Sequence, residues 1–252
     1  MSIVLVLIGM FVGSLSGFFG VGGGLILIPL LMTIGFGIKA AIGVSVVQMV
    51  FSSVYGSYLN WRKGLLQIND GLWVGAGGII GGVVGARFTD ILDHQTLKYI
   101  FLALVIFALL RIIFSKPYDP DQEESRFSVA LLFAIGFGIG IIAMMLGVGG
   151  SVMLTPILVG YLHFSSKKAA TAGLFFVVFS ASSGLVYKLL AGSFSDLSLS
   201  LSTVLTVAVS ALVGSWIGIW LKDKVPDRHH KIYMIVMYMV ILALLIKRIW
   251  FT

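Results

Sequence analysis

The sequence predicts an all-α polytopic membrane protein of two homologous halves, with eight full transmembrane helices and two short half-helices after glycine-rich turns. Composition, the spacing of apolar stretches and an internal duplication carry that prediction. Of 252 residues, 59% are hydrophobic and 11% charged, where a soluble domain has about 45–50% and about 25%. With a mean hydropathy of +1.09, so many apolar side chains cannot share one small core, and lipid must solvate much of the surface. A soluble globular enzyme and a disordered chain are thereby excluded. At roughly 20 residues per crossing, the length allows at most about ten spans and leaves no room for a separate soluble domain.

Ten apolar stretches follow in order. Ser2–Phe19 is the first, and Met1-Ser2-Ile3-Val4-Leu5 enters it without a basic leader, which reads as a mature membrane segment rather than a cleaved signal. Gly20-Val21-Gly22-Gly23-Gly24 interrupts the chain before Leu25–Gly35, which is too short to span as an ordinary helix. Ala40–Trp61, Gly71–Phe88 and Lys98–Phe114 complete the first half. Two prolines and four acids make Ser115–Ser125 a solvated connector. The second half repeats the layout with Phe127–Met145, the break Gly147-Val148-Gly149-Gly150-Ser151, the short Val152–Tyr161, then Ala169–Leu190, Leu199–Leu221 and Ile232–Trp250. Glycines this dense favour a break over a continuous helix. Each pair is therefore a long broken span or a hairpin turning inside the membrane. Residues 1–114 form one repeat, 115–125 the connector and 126–252 the other.

The duplication shows in three matches in the same order. FFGVGGGLILIPLL at Phe18–Leu31 aligns with MLGVGGSVMLTPIL at Met145–Leu158, bringing Pro29 onto Pro156. Phe51-Ser52 with Gly56 aligns with Phe179-Ser180 with Gly184, and Gly81-Gly82-Val83-Val84-Gly85 with Gly214-Ser215-Trp216-Ile217-Gly218. Duplicated halves with sites at meeting helix breaks are common in secondary transporters.

Charge sets the orientation. The net charge of +7 and pI near 9.7 are assigned to membrane-flanking loops rather than to nucleic acid. If each half reverses direction five times, Arg62, Lys63, Arg111, Lys116, Arg126, Lys167, Lys168, Lys222, Lys224, Arg228 and Lys231 share one face. Lys39, Arg87, Lys98, Lys188, Lys247 and Arg248 share the other, a division of the 17 basic residues into eleven and six. Short stretches that merely extend the first spans divide them nine against eight. The first division obeys the positive-inside tendency better. It implies an odd number of passes per half, inverted repeats and both termini outside.

Three patterns could carry chemistry. The glycine clusters place Gly20, Gly22, Gly23 and Gly24 in one half, and Gly147, Gly149, Gly150 and Ser151 in the other, beside the first turns of short helices. Such turns expose N–H groups and a positive dipole end that suit an anion, and glycine removes the Cβ that would block its approach. Polar side chains inside apolar stretches come second: Ser45, Gln48, Ser52 and Ser53 on the third stretch, Thr171, Ser180, Ser182 and Ser183 on its counterpart, and Thr155 before Pro156. Gln48 and Ser52 are four apart and share a helix face. A glutamine in hydrocarbon is costly unless paired; Gln48, Ser52, Thr155 and Ser180 are the side chains assigned to ligand. Third, Gly77, Gly81 and Gly85, with Gly214 and Gly218, form small-xxx-small patterns read as helix packing. There is no Cys, no HExxH, no mid-span carboxylate or His, and no nucleophile–base pair, so an intramembrane enzyme, a metal site and a cofactor are not expected. His94, His163, His229 and His230 all fall in loops.

The doubled motif GFFGVGGGLILIPLL and LGVGGSVMLTPIL resembles the sulfite exporter TauE/SafE family, also called the toluene-sulfonate uptake permeases, along nearly the whole chain. The resemblance implies an inner-membrane, multi-pass transporter of sulfite, sulfonates or related small anions. The family pattern falls on Gly20, Gly22, Gly23, Gly24 and Pro29, and on Gly147, Gly149, Gly150 and Pro156; Ser151 departs from it where the first half has Gly24. The expected function is secondary transport of a small sulfur oxyanion or sulfonate by alternating access around the glycine breaks. An anion channel of this architecture and a non-transporting scaffold are the alternatives. Substrate identity, direction, a coupling ion (H+ or Na+) and a homodimer stay open.

Overall fold

The computed structural model describes residues 2–19, 22–62, 64, 68–114, 128–162, 166–193, 201–222, 224 and 227–250. The connector, Gly20 and Val21 lie outside them. The described residues form ten helices: α1 (Ser2–Phe19), α2 (Gly24–Thr33), α3 (Ile38–Arg62), α4 (Ile68–Ile91), α5 (His94–Ile113), α6 (Val129–Leu146), α7 (Ser151–Leu162), α8 (Ser166–Leu190), α9 (Leu201–Lys222) and α10 (Asp227–Trp250). Each expected stretch contains one helix, and both short stretches are short helices. Among the described residues six helices, α3, α4, α5, α6, α8 and α9, are long and apolar enough to cross a membrane, where eight full spans are expected, and α1 is a shorter apolar helix.

Local chemistry fixes several ends. Asp93 caps α5 by accepting from the N–H groups of Gln95 and Thr96. The Thr96 hydroxyl, and then its N–H, hold the Asp93 carboxyl below the usual carboxylate range. Because the folded value is depressed, this contribution is present above the unfolded value and fades as pH falls through the folded one. Helix α6 ends in a Schellman motif: Gly147 is left-handed, its N–H donates to Met144 O, and Val148 N–H donates to Ala143 O.

The halves interlock by exchanging partners. The most extensive helix contacts join α1 to α9 and α4 to α6. Gly77, Gly81 and Gly85 of α4 rest on the backbone of Phe133, Phe137 and Ile141 of α6. The numbers rise together, so these helices run parallel. Likewise Gly9, Gly13 and Gly17 of α1 meet Ser210, Ala211 and Ser215 of α9. The first helix of each set of five therefore lies along the fourth helix of the other; Gly77, Gly81, Gly85, Gly214 and Gly218 of the small-xxx-small pattern permit it, joined by Gly9, Gly13 and Gly17 of α1.

Helix α4 also runs parallel to α8, since Gly71 faces Phe175 and Gly75 faces Phe179. At the end of this pair Lys188 is 1% exposed and donates to Asp90 Oδ1 at 2.9 Å. Ser193 donates to Asp90 Oδ2 at 2.8 Å, and Lys39, at the start of α3, to Asp90 O at 2.8 Å. Removing one partner of a buried ion pair strands the other charge. Lys188→Met is expected to lower stability by about 1–3 kcal/mol, below the 3–5 kcal/mol of a fully buried pair, because Asp90 remains 31% exposed. The loss should appear as a lower melting temperature in detergent, restored in part by adding Asp90→Leu.

Candidate functional site

The two glycine breaks meet. A Cβ built on Gly22 would lie 3.5 Å from the Gly149 Cα and 3.4 Å from the Ser151 hydroxyl; one on Gly149 would lie 3.5 Å from the Gly22 Cα. Both glycines have positive φ, 77° and 79°. All described residues of both turns, 22–24 and 147–151, are buried. Gly24 packs on Gly147 O and the Ser45 hydroxyl, and Ser45 donates to Gly147 O at 2.6 Å, a bond between the halves.

Depth follows from register. Gln48 is ten residues beyond Ile38 in the 25-residue helix α3, so at 1.5 Å per residue it sits roughly 15 Å from one end of a helix roughly 37 Å long. Its side-chain amide covers Gly23: the Cβ position there is 2.6 Å from Oε1 and 2.7 Å from Nε2. Gln48 is fully buried, yet neither amide atom has a hydrogen-bond partner, and the buried Ser151 hydroxyl has none either. Ser57 and Ser215 are also buried without partners, but neither touches a glycine turn within the contacts above.

The backbone of the turns is similarly unspent. The N–H groups of Gly23 and Leu25, and of Gly149, Gly150, Ser151 and Val152, donate to no acceptor among the described residues. No side chain caps α2. Some of these groups are ordinary first-turn donors; here they converge from both halves on one buried place, with the positive ends of α2 and α7 beside them.

The other assigned residues divide. Ser52 donates to Met49 O at 3.3 Å and Ser180 to Phe176 O at 3.3 Å, each within its own helix. Ser180 also presents its carbonyl to Gly82 of α4. Thr155 and Ser151 rest against Gly173 of α8, whose Cβ position is 3.2 Å from Thr155 Oγ1 and 3.1 Å from Ser151 Cα. Gly150 is covered by the Phe176 ring, which occupies in the second half the place Gln48 has in the first. Gly20 lies outside the described residues. Ser45→Ala should cost about 0.6–1.7 kcal/mol, the range for interhelical hydrogen bonds in membranes, read as a lower melting temperature with the fold retained.

Sequence reasoning left Lys188 and Asp90 among membrane-flanking charges. The detectable signal was that the duplication places Asn60 opposite Lys188, so this lysine serves one half only.

Ten helices among the described residues, six of them suited to crossing lipid, with the two glycine breaks in contact, describe a multi-pass membrane protein. Residues 5–245 match the family model "Sulfite exporter TauE/SafE", and the chain belongs to that family. It is similar to the probable membrane transporter protein YdhB of Bacillus subtilis, 24% identical over 230 residues, covering 88% of this chain and 91% of that protein. It is also similar to the probable membrane transporter proteins YunE of Bacillus subtilis, 22% identical over 241 residues with 86% and 85% covered, and MJ0441 of Methanocaldococcus jannaschii, 24% identical over 252 residues with 91% and 89% covered. No solved structure matches the chain.

Proposed function

We propose that this transporter carries a small anion, a sulfur oxyanion or sulfonate, by alternating access at the paired glycine breaks. The observation that carries the reading is the convergence of unpartnered N–H groups of both turns with the unpartnered Gln48 amide and Ser151 hydroxyl. Backbone dipoles and neutral side chains hold the anion. Ser52, Thr155 and Ser180 support the surrounding helices.

Inverted repeats are supported by helix directions. Asp90, at the end of α4, meets Lys39 at the start of α3 and Lys188 at the end of α8. Helices α3 and α8, equivalent by the duplication, thus run in opposite senses. The start of α7 lies against Gly173, and its end is only three residues from the start of α8, so α7 runs counter to α8. Helix α6 parallels α4 and hence α8, which makes α6–α7 a hairpin turning back at the break. Residues 1–114 and 126–252 are the two repeats, and separation of their hairpins would open the closed Gly22–Gly149 contact to one side or the other.

The test is liposome flux of sulfite, thiosulfate, sulfoacetate and a carboxylate of similar size, with and without a pH gradient. Saturable movement of a sulfur anion is expected; its absence for all of them overturns the reading. Flux indifferent to an opposing ion gradient would instead mark a channel.

A further inference from the structure

The Gln48 amide is bipolar, and its surroundings leave both ends unmet. Oε1 and Nε2 lie equally close to Gly23, are fully buried, and lack partners. Exchanging the amide oxygen and nitrogen therefore changes nothing: in either orientation one acceptor and two donor hydrogens face the turn unsatisfied. The Ser45 hydroxyl, three residues before Gln48 on the same helix face, has already given its one proton to Gly147 O. The Ser151 hydroxyl makes no bond to Gln48.

A bare anion meets only part of this arrangement. It accepts from Nε2, from Ser151 and from the free N–H groups, but it sets its own negative oxygens against Oε1. In a dry site that acceptor then remains unpaired and repels the ligand, and buried polar groups without partners are what such sites discriminate by. An acceptor beside an anion-binding turn is satisfied by a ligand that brings a donor of its own next to its negative head.

Resting on the anion-transport reading above, we infer that Gln48 selects anions carrying an O–H or N–H donor adjacent to the charged group: hydrogen oxyanions and hydroxy- or amino-substituted sulfonates, in preference to fully deprotonated or alkyl-only ones. Gln48 is thus a specificity-determining residue. Its counterpart by the duplication is Phe176, which covers Gly150 and offers no acceptor, so the selection is made by one half alone.

The experiment uses the full-length protein in liposomes and two matched probe pairs. One is 2-hydroxyethanesulfonate against ethanesulfonate; the other is hydrogen sulfite, at a pH where it predominates, against chlorate. Each pair keeps the charge and approximate shape of the head and differs in the donor. The wild-type protein is expected to favour the donor-bearing member of at least one pair by about tenfold or more in competition for uptake, a ratio within what a single unmet hydrogen bond supplies. In Gln48→Met, which keeps length and removes both polar ends, that ratio should fall towards one, with uptake of both members of each pair reduced by loss of the Nε2 donor and that of the donor-bearing member reduced more. Equal handling within both pairs by the wild-type protein overturns the inference and leaves anion transport standing. So does a preference that survives undiminished in Gln48→Met. Failure of all four probes, together with the sulfur anions tested above, sinks the anion reading itself. The wild-type ratio needs no variant, so a poorly folded Gln48→Met does not remove the test.

Discussion

Replacing Gly149 with valine is expected to abolish solute movement while the protein still inserts and can be purified. Gly149 has a φ of 79°, which costs an L-residue roughly 1–2 kcal/mol and a β-branched one more. The added Cβ would sit 3.1 Å from Met49 Sδ and 3.5 Å from the Gly22 Cα. Valine's methyl groups extend further, so the two turns must part. A displacement of about 1 Å at a site that positions its ligand can cost on the order of 100-fold in rate. Flux through Gly149→Val should drop by that order or more, with yield and α-helical circular dichroism near those of the parent. Gly22→Val, with a φ of 77°, should behave alike. Full flux in both would sink the turn as the site.

Gly81→Leu is expected to destabilise the fold severely. A Cβ at Gly81 falls on the Phe137 carbonyl of α6, and the contact is with backbone, which no rotamer change relieves. Overpacking costs typically 1–3 kcal/mol where side chains can shift. Here α4 and α6 must separate along their crossing, and the loss should exceed that range by several kcal/mol. Aggregation in detergent, or a melting transition lowered by about 10 °C or more, is the expected reading. Gly138→Ala is the matched control in α6: nothing lies within 4 Å of its Cβ position, and helix propensity favours alanine by about 1 kcal/mol. A normal melting temperature for Gly81→Leu would mean that the helices are not packed through that glycine.

The helices were legible because their cause is local. Runs such as Val129–Leu146 have nowhere to put their apolar surface but lipid or each other, and the glycine clusters interrupt two of them where the chain indeed breaks. That Gly77, Gly81 and Gly85 pack a helix was equally readable, since their spacing alone makes a smooth face. Which helix they pack against was not: parallel pairing of α4 with α6 joins residues 56 positions apart in sequence, and no local pattern encodes a partner. Among the candidate residues, the cost of an amide in hydrocarbon singled out Gln48, which the structure buries against Gly23 without a partner. Ser52 and Ser180 looked similar but turn back to their own helices, because a hydroxyl can satisfy itself at the carbonyl one turn earlier and an amide at Gln48 does not. The Lys188–Asp90 pair was hidden for the opposite reason. Both residues are near span ends, where charge is ordinarily solvated, and only the three-dimensional neighbourhood buries the lysine.

The crossed pairing of α1 with α9 and of α4 with α6 bears on biosynthesis. When the ribosome has delivered α1 to α5, the glycine faces of α1 and α4 still lack the surfaces they are shaped for, and α1 must wait for α9. Those faces are therefore covered by lipid or by insertion machinery until α6 and α9 are made. Two separately expressed portions, each unstable alone, should accordingly find one another when made in the same cell.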